Sequence, residues 1–172
     1  EKEGSDQRPL VLTYAGRIEE DQKCIMSLVP YVEALQRKNI PFTMNIIGSG
    51  TFEDKLKEAI GKLSFAENES VNFLGRIPNA EMAQAWRDSD ISILVSAFEG
   101  TSLSMLESMG QGCVPVVTEV SGTEKVISEG QNGFTSPVGD LEGLTDTIGL
   151  LHHDRGLFKA CSQTAWETVK QG

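Results

Sequence analysis

Two carboxylates, Glu99 and Glu107, stand with seven residues between them in SAFEGTSLSMLESMGQGCVPVV, residues 96–117. Apolar ISILVS precedes them, and a helix is expected to start near Leu103, so the amides of about residues 100–104 include the unpaired donors of a helix start. Gly100 lets backbone approach a ligand, and Thr101, Ser102 and Ser104 can cap the helix or donate hydroxyl hydrogen bonds. A phosphate fits such amides. Glu107 lies about five residues into the helix, a rise of roughly 7 Å. The two acids could therefore flank a diphosphate, each accepting two hydrogen bonds from a sugar diol. The competing reading is structural: Ser104-x-x-Glu107 matches a capping box, and Glu99 is then a surface loop residue.

Cations come from AGRIEEDQK, where Arg17 follows a first apolar run and Lys23 is expected to begin the next helix. Arg supplies a planar fork and Lys a point charge, a pair able to clamp a diphosphate. Both could equally be solvated and paired with Glu19, Glu20 or Asp21. GSGTFE puts Glu53 where a dinucleotide fingerprint wants its third glycine, so Gly48 and Gly50 read as a turn with close backbone approach. Asp88 and Asp90 form a D-x-D at the amino end of a strand, where Asp90 serves a turn, and no metal is expected. His152 and His153 read as a solvated helix end. Trp86 and Trp166 are expected in the core or at a domain contact, and Met105 and Met109 on the buried face of the Glu107 helix.

The elements that must position these groups alternate along the chain. Strands are expected at 9–16, 42–48, 71–75, 91–96, 114–120 and 133–138. Helices are expected near 23–38, 51–64, 79–89, 103–111, 122–129, 140–152 and 155–170. The pattern predicts an α/β fold, a doubly wound parallel sheet of about six strands with helices on both faces. Ligands in such folds sit beyond the carboxyl ends of the strands, which singles out Gly16-Arg17, Gly48-Ser49-Gly50, Gly75-Arg76, the 96–104 loop and the loop after Val120.

The 172 residues suit one domain with a sizeable core. Residues 1–8 read as a tail, 9–153 as the domain, and 154–172 as a helix leading away from it. Both ends look cut from something longer. A net charge of −10 disfavours nucleic acid and anionic membrane as general partners. Cys24, Cys113 and Cys161 are too far apart for a metal or disulfide pattern and read as buried free thiols of a reducing compartment. No apolar run is long enough for a membrane span or a signal peptide. A cytoplasmic setting is expected, with peripheral membrane association open for a longer protein.

Glu99 and Glu107 in EGTSLSMLE, followed by GCVPVV, resemble the Glu-x7-Glu signature of retaining glycosyltransferases of the family-four type. YAGRIEEDQK, NIIGSGTFEDKL, VNFLGRIPNAEM, WRDSDISILVS, VSGTEKVISEGQNGF and VGDLEGL follow in that family's order, so the resemblance spans about residues 9–153. It implies the nucleotide-sugar-binding domain of a two-domain GT-B enzyme, whose acceptor-binding domain is absent from this chain. Transfer of a hexosyl group to a saccharide, lipid or other hydroxyl acceptor is implied, with retention and without a metal or cofactor. By the same resemblance Arg17 and Lys23 hold the donor diphosphate, Glu99 the sugar hydroxyls and Glu107 the ribose. Gly16, Gly48 and Gly50 line the nucleotide site, Gly100, Thr101, Ser102 and Leu103 offer backbone to phosphate or sugar oxygens, and Arg76 and Ile77 lie near the base. A UDP-sugar is favoured over a GDP-sugar on frequency. The isolated chain is expected to bind donor without turnover. A nucleotide-binding module without transfer activity, a GT-B epimerase and a Rossmann oxidoreductase are the alternatives.

Overall fold

A computed structural model describes residues 8–171. Six strands form one sheet: β1 (Leu10–Ala15), β2 (Phe42–Ile47), β3 (Glu69–Gly75), β4 (Ile91–Leu94), β5 (Val114–Thr118) and β6 (Phe134–Ser136). Their order is β3-β2-β1-β4-β5-β6, and every pairing is parallel. The predicted α/β fold is thus the observed one, a doubly wound, Rossmann-like sheet. The helices are α1 (Leu28–Arg37), α2 (Glu53–Gly61), α3 (Asn79–Arg87), α4 (Leu103–Met109), α5 (Leu141–His153) and α6 (Arg155–Gln171). α1 packs on α2 and α5, α3 packs on α4, and α6 reaches from α5 to α4.

Burial follows position in the sheet. ISIL of β4 and VPVVT of β5 are buried at every residue, as central strands covered on both faces must be. At the edge, β3 alternates half-buried with exposed residues, and Asn72 and Ser70 hydrogen-bond the neighbouring Asn45 and Thr43 on β2. The main core joins Leu10, Leu12, Phe42, Met44, Ile91 and Val116 to Leu28, Tyr31, Leu144 and Ile148. A smaller apolar cluster of Ala15, Ile47, Trp86 and Cys113 lies with Ile77, Met82 and Ala85 of the β3–α3 segment.

Two elements differ from expectation. The first helix begins at Leu28 instead of Lys23, after a 3-10 turn at Ile25–Ser27. Pro30 explains this, because it is tolerated in a first helical turn but in an interior it removes a hydrogen bond and clashes with the preceding turn. The helix expected at 122–129 is only a 3-10 turn, Thr123–Lys125. There Asn132 takes over the backbone, its Oδ1 accepting from Ser128 N at 2.7 Å and its Nδ2 donating to Val126 O at 2.9 Å and to Thr168 Oγ1 at 3.0 Å. Cys24 is half-buried and has φ +49, while Cys113 and Cys161 are buried as expected. Trp86, Met105 and Met109 are buried, and Trp166 is 36% exposed.

Of the tail expected at 1–8, residues 1–7 lie outside the described residues. Arg8 is held: its guanidinium donates twice to Asp90, at 2.7 Å each. Asp90 Oδ2 also accepts from Val11 N at 2.8 Å, so this buried carboxylate serves the turn before β4 and ties it to the start of β1. Arg155 donates to Arg8 O at 2.7 Å and lies 3.1 Å from His152 Nδ1. Burial first, then the charges of Arg155 and His153, holds the His152 imidazole below its usual range.

Two stability outcomes follow. Asp90→Ala leaves the Val11 amide and Arg8 without their acceptor and should cost about 2–3 kcal/mol in denaturant unfolding. Because the folded state takes up the His152 proton later than the unfolded chain, the unfolded state binds more protons as pH falls through about 6.5. Stability should therefore drop as pH falls through about 6.5 and below, and His152→Gln should flatten that slope in thermal unfolding.

Candidate functional site

The strand order reverses between β1 and β4, so the loops that leave their carboxyl ends diverge and open a crevice. On one side of it the loops after β1, β2 and β3 are laced by backbone bonds. Gly16 N donates to Ile47 O at 3.0 Å, Gly48 N to Gly75 O at 2.8 Å, Ile18 N to Ser49 O at 3.0 Å and Phe52 N to Ile18 O at 3.0 Å. The lacing requires two of the glycines. A Cβ on Gly48, at φ +131, would stand 1.9 Å from Gly16 O, and one on Gly50 would stand 2.2 Å from Ile18 O. Gly50 is thus explained by backbone packing.

These loops, with α3 and α4, bound an open cleft of about 570 Å³. Its apolar lining is Ala15, Ile47, Ile77 and Met82, the top of the smaller cluster. Its polar lining is Arg17, Glu19, Ser49, Arg76, Asn79, Ser104 and Glu107, with Gly16 and Gly48 contributing backbone. Eight residues singled out from sequence therefore meet here: Gly16, Arg17, Gly48, Ser49, Arg76, Ile77, Ser104 and Glu107. Lys23, Glu99, Gly50, Gly100, Thr101, Ser102 and Leu103 do not line this cleft. Glu19, Asn79 and Met82 line it without having been singled out as ligand-binding residues. Their signal was positional, since each follows the carboxyl end of a strand by a few residues.

Lys23 and Glu99 face each other in an ion pair, with side chains 15% and 9% exposed, and Ser96 Oγ donates to Glu99 Oε1 at 2.8 Å. The expected surface-loop alternative for Glu99 is thereby replaced by a nearly buried one. Arg17 is 60% exposed and pairs with Glu19 at 2.9 Å, the acidic partner the sequence left open, while its Nη2 donates to Gln22 Oε1 at 2.7 Å. Its backbone is fixed too, because Tyr14 Oη donates to Arg17 O at 2.6 Å. Burial, reinforced by the charge of Glu99, pushes the Tyr14 phenol well above its usual value, so it remains a neutral donor.

On the far side, Ser102 caps α4 and its Oγ accepts from Met105 N at 3.3 Å. Ser104 is the second residue of the helix, so the capping box with Glu107 does not form. Met105, Ser108 and Met109 turn inward, and Glu107 is exposed on the opposite face toward the cleft. Among the described residues Glu107 has no ion-pair partner. A Cβ on Gly100 would meet open space, and Leu103 is 72% exposed.

The arrangement offers a guanidinium, an unpaired carboxylate and free backbone around an apolar shelf, at the place where this fold binds nucleotides. A family model described as "Glycosyl transferases group 1" matches residues 9–154. The chain belongs to that family. Among its relatives, sulfoquinovosyl transferase SQD2 of Arabidopsis thaliana is 28% identical over 171 residues, 98% of this chain and 31% of the relative. The structure of TarM from S. aureus, a complex that includes UDP, superposes with a TM-score of 0.83 at 20% identity over 99% of this chain and 34% of TarM. The C-terminal domain of the group 1 protein LpcC from Francisella tularensis superposes at 0.81 with 21% identity, over 96% of this chain and 87% of that one. The chain spans about a third of the length of SQD2. No helix among the described residues is long and apolar enough to cross a membrane.

In this group 1 domain the Lys23–Glu99 pair is a nearly buried ion pair, and removal of one partner strands the other. Lys23→Met and Glu99→Gln should each cost about 1–3 kcal/mol, and the double variant less than their sum, as measured by a double-mutant cycle in urea.

Proposed function

We propose that this chain is the nucleotide-sugar-binding part of a retaining glycosyltransferase that moves a hexosyl group to a hydroxyl acceptor. The observation that carries the reading is the unpaired Glu107 carboxylate lining, together with Arg17, the cleft at the strand-order switch point. A guanidinium, whose five N–H donors exceed the two that Glu19 and Gln22 use, suits a diphosphate, and a carboxylate without a partner suits the vicinal hydroxyls of a ribose.

In this reading Ile77 and Arg76 flank the base on the apolar shelf, Glu107 accepts from the ribose hydroxyls, and Arg17 receives the diphosphate with Gly16, Gly48 and Ser49 close by. Lys23 lies beyond Gln22 and is shared between Glu99 and the distal phosphate. Glu99, oriented by Ser96 and Lys23, accepts from the hydroxyls of the sugar, near the backbone of Gly100, Thr101, Ser102 and Leu103. As the bond from the anomeric carbon to the diphosphate oxygen breaks, Arg17 and Lys23 stabilise the charge gathering on the leaving group. The two cations supply in side chains what a divalent ion supplies in other transferases. The acceptor is assigned to a second domain, toward which α6 leads. The UDP of the TarM structure makes UDP the first ligand to try.

The test is thermal unfolding with UDP, GDP, ADP and NAD, on this chain and on Glu107→Ala. At about 100 times its dissociation constant a ligand adds roughly 2.7 kcal/mol of stability. A nucleoside diphosphate, UDP first, should stabilise the parent and lose most of that effect in Glu107→Ala. Stabilisation by NAD alone, or equal stabilisation of both proteins by UDP, would sink the assignment.

A further inference from the structure

We propose that Gln22 is a positioning residue, a neutral brace that aims the Arg17 guanidinium at the diphosphate and joins the two halves of the site; the inference rests on the donor-site reading above. Gln22 sits between Arg17 and Lys23 in sequence, and its polar groups bond both within its own loop and to the loop after β4. Its Oε1 accepts from Arg17 Nη2 at 2.7 Å. Its Nε2 donates to Phe98 O at 3.2 Å, and its own backbone carbonyl accepts from Ala97 N at 2.9 Å. One residue thus ties the loop after β1 to the loop after β4, across the crevice where those loops diverge.

The chemistry of the amide makes this arrangement specific. Arg has only donors and a carbonyl only accepts, so Oε1 must face Arg17 and Nε2 must face Phe98. The Phe98 carbonyl belongs to the peptide that enters Glu99, so the same side chain orients the backbone leading to the sugar-facing carboxylate. An amide also differs from the other partner of Arg17. Glu19 pairs with the guanidinium at an exposed site that a phosphate can compete for, whereas Gln22 restrains it without adding a negative charge. A side chain 60% exposed would otherwise lose rotamer freedom at the moment of binding, and a brace removes part of that cost beforehand.

Isothermal titration of UDP into this chain, Gln22→Met, Arg17→Ala and the double variant tests the assignment. Met keeps the length of Gln and removes both side-chain hydrogen bonds. Gln22→Met should weaken UDP binding about threefold to tenfold. In the Arg17→Ala background the same change should have no further effect, because the brace then has nothing to aim. Gln22→Glu keeps the acceptor for Arg17 but adds a charge and loses the donor to Phe98, and should weaken UDP binding more than Gln22→Met. It carries the same test if the Met variant does not fold. Unchanged affinity in Gln22→Met, or an equal loss with and without Arg17, overturns the brace while leaving the donor site intact. Failure of the parent to bind UDP overturns the donor reading and this inference together.

Discussion

The absence of a side chain at Gly48 is the constraint on which the site depends. Where its Cβ would be, the Gly16 carbonyl already lies, 1.9 Å away. That contact lets the loops after β1 and β2 run side by side past the ends of their strands, continuing the parallel ladder through Ile18, Ser49 and Phe52. Arg17 is held within this laced segment, so its backbone is placed by ladder-like hydrogen bonds and by Tyr14 instead of by a free loop. The precision of the guanidinium is inherited from the sheet.

Electrostatics completes what the backbone begins. The chain carries a net charge of −10, yet the cleft gathers Arg17 and Arg76 beside Glu19 and Glu107, and Lys23 pairs with Glu99 outside its lining. Two of the cations already have carboxylate partners, and Lys23–Glu99 is sheltered enough that each charge depends on the other. Glu107 stands apart from these pairings. The helix that carries it buries Met105, Ser108 and Met109, and this leaves the acid no intramolecular role that burial or capping explains.

Much of this was legible in the sequence because the signals were local. Continuous apolar runs such as ISIL and VPVV marked the central strands, and glycines after strands marked the loops where a ligand could sit. What was hidden depended on contacts between distant segments. Nothing near Glu99 in the chain announces Lys23 as its partner, and Gln22 looks like any polar linker residue until Phe98 is brought beside it. Pro30 could have placed the start of α1, since the rule it obeys is local. The 122–129 segment misled because its apolar Val126 and Ile127 suit a helix, while Asn132, reaching back to Val126 and across to Thr168, imposes a turn. The close backbone approach that GSGTFE suggests is what Gly50 makes, against Ile18 O.

The joining of β1 to β4 also has a consequence for how the chain acquires its shape. Lys23 meets Glu99 across a sequence separation of 76 residues, and Arg8 meets Asp90 across 82. Local β-α-β pieces can assemble β1, β2 and β3 early, but the free edge of β1 waits for β4 to arrive, and such distant pairings are the slow part of folding. The crevice is therefore a late product of folding: a chain that stalls with only its first three strands paired has the glycine-laced loops but lacks the opposite bank, and cannot hold a ligand between them.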